Sequence, residues 1–149
     1  MQLNQFTDYG LRVLMCLLSC REQERLTTVA ELACLLDVSS NHLVKVVHFM
    51  SQQSWIKSTR GRGGGIRLAD QAELLSLGTI VRCLERTTQV VDCNKPLCVF
   101  SGKCGLKKLL DQALEQFYLF LDKYQLKDLQ ASKHNAASDV IKMLFSKAI

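Results

Sequence analysis

The residues with the clearest chemical potential are three cysteines in the stretch "CNKPLCVFSGKC", residues 93–104. Four residues separate Cys93 from Cys98, five separate Cys98 from Cys104, and the chain's only proline lies in the first gap. Because the stretch has proline and glycine but no helical period, packing inside a helix does not account for these thiols. Three thiols this close in sequence could hold a metal, form a disulfide with one thiol to spare, or do redox chemistry.

The spacing of the triplet separates the two main metal alternatives. Structural zinc sites usually have tight C-x-x-C pairs and four nitrogen or sulfur ligands. This sequence has no C-x-x-C and no histidine near the triplet. Iron–sulfur clusters are larger, accept wider loops between thiolates and tolerate one ligand other than cysteine. The spacing therefore favours an iron–sulfur cluster over zinc, with thiol redox chemistry or no ligand as the remaining alternative.

The other four cysteines lie in apolar, helix-like patterns, and we expect them to pack as small buried hydrophobic residues. They are Cys16, Cys20, Cys34 and Cys83. The total of seven is odd, and the N-terminal apolar run has neither a basic region before it nor a small-residue cleavage site. The run is also too short to span a bilayer. The sequence therefore predicts a cytoplasmic protein with no membrane segment and no disulfide framework.

Basic charge is concentrated in one block of the sequence. Residues 38–69 include no Asp or Glu, and the block contains five basic residues, Lys45, Lys57, Arg60, Arg62 and Arg67. The rest of the chain has 14 basic and 14 acidic residues, so the formal net charge of +5 resides in this block. Ordinary solvated surfaces mix the two signs, so a block of this kind predicts a polyanion as partner.

Hydrophobic periodicity places the basic block on a helix-turn-helix followed by a hairpin. Asn4 can cap a first helix, Thr27 or Thr28 a second, "VAELACLL", and the serines of "DVSS" a third, "NHLVKVVHFMSQQ". Two short helices joined by a turn of three or four residues form a helix-turn-helix pattern. Residues 56–59 and 66–68 predict two short strands, and the connection "RGRGGG" makes them a wing.

This arrangement predicts how the chain contacts DNA. Short polar side chains at the start of the third helix can reach base edges in the major groove, and the amides there favour phosphate. Arginines at the wing tip would enter a minor groove or lie on phosphates, while the glycines let the backbone approach closely. The predicted DNA-binding residues are Ser39, Ser40, Asn41, His42, Lys45, Lys57, Arg60, Arg62, Gly63 and Gly64.

A fourth helix, capped near Ser76, precedes the cysteine stretch, and a long helical pattern follows it. From Gly105 the apolar residues keep helical spacing for about 20 residues, a rod of about 30 Å. Because a small domain can hardly cover that whole stripe, it predicts a partner helix in a twofold homodimer, which suits a palindromic DNA site. The predicted dimerisation residues are Leu106, Leu109, Leu110, Ala113, Leu114, Phe117 and Leu121.

The predicted fold is mainly α, a winged helix-turn-helix with a two-stranded wing and a long C-terminal dimerisation helix. Residues 1–75 form the DNA-binding domain in this prediction. Residues 76–104 form a linking helix and the cysteine loop that holds the cluster, and residues 105–149 form the dimerisation helix and the C-terminal tail.

Four features occur together in the order typical of one family. The segments "QFTDYGLRVL", "SSNHLVKVV" and "RGRGGGIRL", and the cysteine triplet ahead of a long helix, resemble the winged-helix iron–sulfur regulators of the IscR/NsrR type. The resemblance covers nearly the whole chain and weakens after about Leu129. It implies a homodimeric bacterial transcription factor in which the triplet holds a 2Fe–2S or 4Fe–4S cluster.

The branches of that family differ in the fourth ligand. IscR-type members have a histidine three residues after the third cysteine, where this chain has Lys107. NsrR-type members are similar in the short first gap and use an N-terminal Asp of the other subunit, which matches Asp8 here. The resemblance thus implies that Cys93, Cys98, Cys104 and Asp8 are metal ligands. On sequence alone, Asp8 is better explained as an acidic residue that stabilises a helix start.

Together these observations predict a non-enzymatic protein, a dimeric repressor that binds double-stranded DNA at a palindromic operator. The resemblance to NsrR-type members implies that its iron–sulfur cluster senses nitric oxide and that damage to the cluster releases the operator. One alternative is an iron–sulfur regulator that senses iron or redox status. From a different class, the alternative is a small thiol-redox protein or a zinc-stabilised interaction protein. The missing C-x-x-C and the block without acidic residues count against that class.

Overall fold

A computed structural model describes residues 2–21, 26–86, 89–94 and 96–131 of the 149-residue chain. Within these ranges the fold is mainly helical with one two-stranded antiparallel sheet, as predicted. The elements are α1 (Gln5–Cys20), α2 (Val29–Leu36), α3 (Ser40–Gln52), β1 (Ile56–Thr59), β2 (Gly65–Leu68), a 3-10 turn (Ala72–Leu74), α4 (Leu77–Glu85), α5 (Gly105–Leu121) and α6 (Asp128–Ala131). No helix of the described ranges is long and apolar enough to cross a membrane.

Side-chain caps define the starts of three helices. The side chains of Asn4, Thr28 and Ser76 accept hydrogen bonds from the backbone N–H three residues on, at 2.8, 3.1 and 3.1 Å. At α2 the Glu31 carboxylate also accepts from the Thr28 N–H at 2.7 Å, which completes a capping box. These predicted caps are confirmed. Ser39 occupies the N-cap of α3, but its side chain makes no capping hydrogen bond.

The turn between α2 and α3 has three residues, 37–39. It is tight because Asp37 takes a left-handed backbone conformation with φ of 52°, and the Val38 N–H then donates to the Ala33 carbonyl at 3.0 Å. The inward side chains of these two helices join those of α1 in one core. The buried residues include Val13, Leu14, Leu17, Leu32, Ala33, Leu43, Val46, Val47 and Met50.

The wing is a hairpin whose inner face is anchored in that core. Ile56 pairs with Leu68, and all three apolar side chains of its inner face, including Ile66, are buried. Thr27 extends the attachment, because it exchanges two backbone hydrogen bonds with Ile66, at 3.0 and 2.8 Å. The second strand begins at Gly65, one residue earlier than predicted.

The chain divides into two compact units. Of the described residues, one unit contains those up to Leu75 together with residues 125–131, and the other contains those of Ser76–Tyr124. The helix expected to continue to about Tyr124 ends at Leu121, and α6 contacts α1. Leu126 is fully buried, with its N–H donating to the Leu75 carbonyl at 2.9 Å. Leu126, which lies beyond the end of α5, therefore packs in the first unit.

In the second unit, α4 and α5 pack closely at Gly78. A Cβ at this position would contact the Asp122 carboxylate and, at 2.6 Å, the Tyr118 carbonyl oxygen, so the close approach requires glycine. Arg82 joins the same two helices. Its guanidinium donates two hydrogen bonds to the Glu115 carboxylate, at 2.8 and 2.9 Å, and lies 4.4 Å from the centre of the Tyr118 ring. The inward faces of the two helices are thereby fixed against each other.

Candidate DNA-reading surface and cysteine site

The outward face of α3 is polar and exposed, as its predicted role requires. Its first turn has no acidic residue, and the five predicted contact residues of the turn and helix are exposed: Ser39, Ser40, Asn41, His42 and Lys45. The ring of His42 stacks on Tyr9 of α1, with 6.2 Å between centroids and 21° between planes. This stacking orients one of the predicted base-contacting side chains from a neighbouring helix.

Val44 is a further residue of this face that the sequence analysis missed. Its side chain is 53% exposed, and it lies between Asn41 and Lys45 on the outward side. The signal was available, because Val44 falls outside the inward spacing of Leu43, Val46 and Val47. An exposed apolar side chain on a reading helix is suited to contact a thymine methyl group in the major groove.

The wing tip presents Arg60 and Arg62 on a turn that needs glycine. Gly63 has a φ of +79°, a conformation that other residues rarely adopt, and a Cβ on Gly64 would collide with the Thr59 carbonyl. The Gly64 N–H donates to the Gly61 carbonyl at 2.9 Å, which closes the turn. In the ranges that the structure describes, no ion pair engages Arg60, Arg62 or Lys45.

The base of the wing differs from its tip in this respect. Asp70 follows β2 and forms ion pairs with Lys57, at 2.5 Å, and with Arg67, at 3.2 Å. The hydrogen bond from Lys57, followed by that from Arg67, lowers the pKa of the Asp70 carboxyl below its ordinary value. Asp70 lies one residue beyond the block without acidic residues. The expectation of five unopposed basic residues is therefore wrong for two of them, because folding of the hairpin brings both to one carboxylate.

The cysteine triplet lies on a tight loop that leads into α5. All three thiols are free and half-buried. The Cys98 N–H donates to the Cys93 carbonyl at 3.0 Å, and an isolated β-bridge joins Asn94 to Leu97 within that turn. Cys104 is the N-cap residue of α5, and its side chain makes no capping hydrogen bond. Its thiol therefore stands at a helix N-terminus, where negative charge is stabilised.

Two of the three thiols, those of Cys93 and Cys104, line one open depression of about 720 Å³. Lys107 also lines it, and its ammonium donates to the Asp111 carboxylate at 2.5 Å. That hydrogen bond raises the pKa of Lys107, and the two nearby thiols act in the same direction. The residue in the position of the IscR-type histidine is thus a charged ammonium group, which is a hydrogen-bond donor and not a metal ligand.

Asp111 is a polar group at this site that the sequence analysis missed. Its Oδ1 is buried and has no hydrogen-bond partner among the described residues, although Oδ2 accepts from Lys107. An available signal was the i, i+4 spacing of Lys107 and Asp111 near the start of a predicted helix. Asp111 lines the depression, and its buried Oδ1 has unused capacity to accept a hydrogen bond.

The donor set of the loop fits an anionic iron–sulfur cluster better than a single metal ion. Soft thiolates select such clusters, and a nearby ammonium and a helix N-terminus both offset negative charge. In the described part of the chain, no three His, Cys, Asp or Glu side chains form a ligand set for one ion. Cys98 does not line the depression. Asp8 lies in the first turn of α1, in the other compact unit, and pairs with Arg12 at 2.9 Å.

The four other cysteines divide into three environments. Cys16 and Cys20 are buried, as expected, and burial, with a contribution from Cys20, raises the pKa of Cys16 to about 12. Cys83 is half-buried. Cys34 is exposed, so the expectation that it packs inside is wrong. The reason is that only Leu32 and Ala33 of the short helix α2 are buried, and Cys34 points away from that face.

The predicted dimerisation residues also divide into separate faces of α5. Leu106 and Leu109 are 64% and 65% exposed, and Phe120, which the sequence analysis did not include, is 55% exposed. Ala113 is exposed as well, and three more are half-buried: Leu110, Phe117 and Leu121. Leu114 is buried inside its own chain, on the face that packs against α4. The partner-facing role of the predicted set stays a prediction.

A helix-turn-helix with an exposed polar reading face, followed by a basic wing, defines the winged-helix class of DNA-binding regulators. Comparison with known proteins places the chain within that class. It belongs to the Rrf2 family, whose model, described as an iron-dependent transcriptional regulator, matches residues 3–132. It is 41% identical over 150 residues to the HTH-type transcriptional regulator NsrR of Bacillus subtilis (strain 168), covering 99% of each protein.

Solved structures match the fold of this chain. CymR of B. subtilis matches with a TM-score of 0.70 and 23% identity, covering 88% of this chain and 97% of that one. The IscR of T. potens matches with a TM-score of 0.69 and 20% identity, covering 91% and 90%. The predictions of a winged-helix fold and of a DNA-binding transcriptional regulator are confirmed, and the family and the relative are regulators and not enzymes.

Proposed function

We propose that the chain is a homodimeric repressor that holds an iron–sulfur cluster on Cys93, Cys98 and Cys104 and releases its operator in response to nitric oxide. The observation that carries this proposal is the three-thiol loop at the start of α5, in a chain 41% identical to NsrR over its full length. Nitric oxide as the signal follows from the resemblance to NsrR-type regulators.

The reading face of α3 would supply the sequence-specific contacts. Ser40, Asn41, His42 and Lys45 are exposed at or near the start of the helix, where side chains reach base edges in the major groove. Val44 adds an apolar contact suited to thymine. Arg60 and Arg62, which have no ion-pair partner in the described ranges, would position the duplex through phosphates or the minor groove.

The cysteine loop would hold the cluster at the base of the helix that we assign to dimerisation. When bound, a cluster supplies iron that reacts with nitric oxide. Cys104 ties this site to the first turn of α5, while Lys107 and the helix N-terminus offset the negative charge of the thiolates. The exposed side chains of Leu106, Leu109 and Phe120 would pack against the second copy. Loss of the thiol ligands would therefore act on the start of the dimer helix.

Two carboxylates are candidates for the fourth ligand. The family resemblance assigns Asp8 of the other subunit, whereas Asp111 lines the depression within the same chain and has an unpaired Oδ1 in the described structure. Asp8→Ala should give a cluster that bleaches faster in air and a weaker affinity for DNA, with Asp111→Asn close to wild type. The reverse result, measured by visible absorption over time, would assign the oxygen ligand to Asp111.

The main experiment compares DNA affinity across cluster states at one salt concentration. An operator is first selected from random duplexes with anaerobically purified protein. Binding is then measured for that protein, for nitric-oxide-treated protein and for the Cys93→Ala/Cys98→Ala/Cys104→Ala variant. The cluster-loaded form should bind about 5- to 150-fold more tightly, the usual range of allosteric coupling. Equal affinities would remove the regulatory role, and tighter binding by the variant would favour a sensor of iron status.

Absorption spectroscopy decides between the classes of protein. Anaerobically purified protein should show iron–sulfur charge-transfer bands in the visible region, together with acid-labile sulfide. A featureless visible spectrum with bound zinc would favour the zinc-stabilised alternative. A spectrum without either metal, with thiols that cycle on oxidation, would favour thiol redox chemistry.

A further inference from the structure

We infer that Asp70 restrains the wing by holding Lys57 and Arg67 on the protein's own hairpin, which weakens binding to the phosphates of any DNA sequence. The inference rests on the proposed role of the wing in DNA binding and adds a residue that adjusts its strength. It concerns the base of the wing, as distinct from the tip with Arg60 and Arg62.

The register of the hairpin places the two cations side by side. Lys57 pairs with Arg67 across the two strands, so both side chains lie on the same face of the sheet. The neighbouring pairs, which include Ile56 with Leu68, have their apolar side chains in the core. The face that carries Lys57 and Arg67 is therefore the outer one, available to a DNA backbone.

Asp70 occupies this outer face with the chemistry of a phosphate oxygen. Its Oδ2 accepts a hydrogen bond from the Lys57 ammonium at 2.5 Å, and its Oδ1 accepts one from the Arg67 guanidinium at 3.2 Å. Hydrogen bonds from both lower the pKa of Asp70, so the carboxyl is ionised wherever the protein is folded near neutral pH. A phosphate that approaches the wing base must therefore displace a carboxylate before it can pair with either cation.

The exposure of the three groups makes this competition possible. The side chains of Lys57, Arg67 and Asp70 are 51%, 44% and 68% exposed, so no burial fixes the pairs in place. Exposed ion pairs are individually weak, and a polyanion can exchange for one of them. Because phosphates are the same in every sequence, the restraint lowers specific and non-specific binding alike and leaves the reading of bases by α3 unchanged.

The test is Asp70→Asn in the full-length, cluster-loaded protein, with binding titrated at several salt concentrations on the selected operator and on a random duplex. Each additional phosphate that the protein neutralises adds about 0.9 to the slope of log affinity against log salt. Two freed cations should therefore raise affinity at low salt and steepen the slope by about 1–2, so that the gain over wild type shrinks by about 4- to 16-fold between about 50 and 200 mM salt on both duplexes. The matched control is Asp128→Asn, the same change of charge in the same compact unit.

The pairing is isolated by repeating the change without the cations. In a Lys57→Gln/Arg67→Gln background, Asp70→Asn should add no affinity and no slope. Equal increases from Asp70→Asn and Asp128→Asn, or an increase that persists without the two cations, would overturn the restraint and leave only a general charge effect. If Lys57→Gln/Arg67→Gln leaves the affinity of the Asp70→Asn protein unchanged, the proposed contact of the wing base with DNA fails, and the inference fails with it.

Discussion

The helix-turn-helix with its wing and the cysteine loop with α5 are held by different means. In the first region a capping box, a three-residue turn and a core that includes fully buried Leu32, Leu43 and Met50 fix the reading helix. In the second, the described residues of the loop have one isolated bridge and a few backbone hydrogen bonds. The apolar side chains on either side of its second thiol are largely exposed, with Leu97 at 77% and Val99 at 90%.

The contrast indicates where the chain depends on something beyond itself. The reading head buries its apolar side chains and caps its helices from its own sequence, so it should fold without a ligand. The cysteine loop and the outward face of α5 leave thiols half-buried and leucines in solvent. A ligand for the thiols and a second copy of the chain for the leucines would supply what this region lacks, as the proposed function requires.

The largest effect should come from single cysteine replacements assayed by bound iron and sulfide. Alanine at position 93, 98 or 104 should reduce both to background, because each thiolate is proposed to bind the cluster directly. Cys34→Ala and Cys83→Ala serve as matched controls and should retain the wild-type content. Retention by any member of the triplet, or loss in a control, would break the proposed division between the two regions.

Core truncation should separate the regions by stability. Leu43→Ala removes a fully buried side chain on the inward face of the reading helix and should lower the free energy of unfolding of metal-free protein by about 2–5 kcal/mol. Leu109→Ala, in solvent on α5, should change it by less than about 0.5 kcal/mol. The free energies of unfolding of the two variants are compared by urea unfolding, at a protein concentration too low for the dimer to form. A large effect at Leu109 there would place that side chain in an intramolecular core.

A smaller effect is expected where α4 meets α5. Gly78→Ala forces a Cβ against the Asp122 carboxylate and the Tyr118 carbonyl, which should cost about 1–3 kcal/mol, as overpacking usually does. Gly105→Ala is the control, because a Cβ there meets nothing within 4 Å. Urea unfolding of both variants makes the measurement. If both have the same midpoint urea concentration as the wild type, the two helices do not approach each other this closely in solution.

The smallest of these effects concerns the caps within the reading head. Thr28→Ala removes a capping box and should lower stability by about 1 kcal/mol. Ser39→Ala removes an N-cap side chain that makes no capping hydrogen bond, so stability should stay within about 0.5 kcal/mol of wild type. Thermal unfolding of the metal-free protein measures both. Equal losses would mean that Ser39 caps α3 after all.

The sequence predicted the parts of the molecule that depend on local signals. The caps at Asn4 and Thr28, the inward spacing of α3 and the strands of the wing follow from patterns within a few residues of each other. The exposure of Cys34 was missed because an eight-residue helix with two buried residues leaves most of its surface outside. Periodicity gives a helix an apolar face but does not say which neighbour covers it.

What the sequence did not predict depends on contacts between distant residues. Asp70 neutralises part of the basic block only because the hairpin brings position 57 within 2.5 Å of it. Leu114 faces α4 and Leu109 faces solvent, although both belong to the same apolar series on one helix. The return of Leu126 to the first unit required the turn after α5. None of these pairings has a sequence pattern of its own.

The ion pairs of Asp70 also bear on how fast such a protein can find its operator in a genome. A chromosome offers about a million to a billion competing sites for each target, and every one of them carries the same phosphates. The residence time of each molecule at a wrong site is set by its affinity for phosphates, which does not depend on sequence. A carboxylate that pairs with two cations of the wing shortens this residence time at every wrong site. Shorter residence times leave more copies free to reoccupy the operator once a signal has passed.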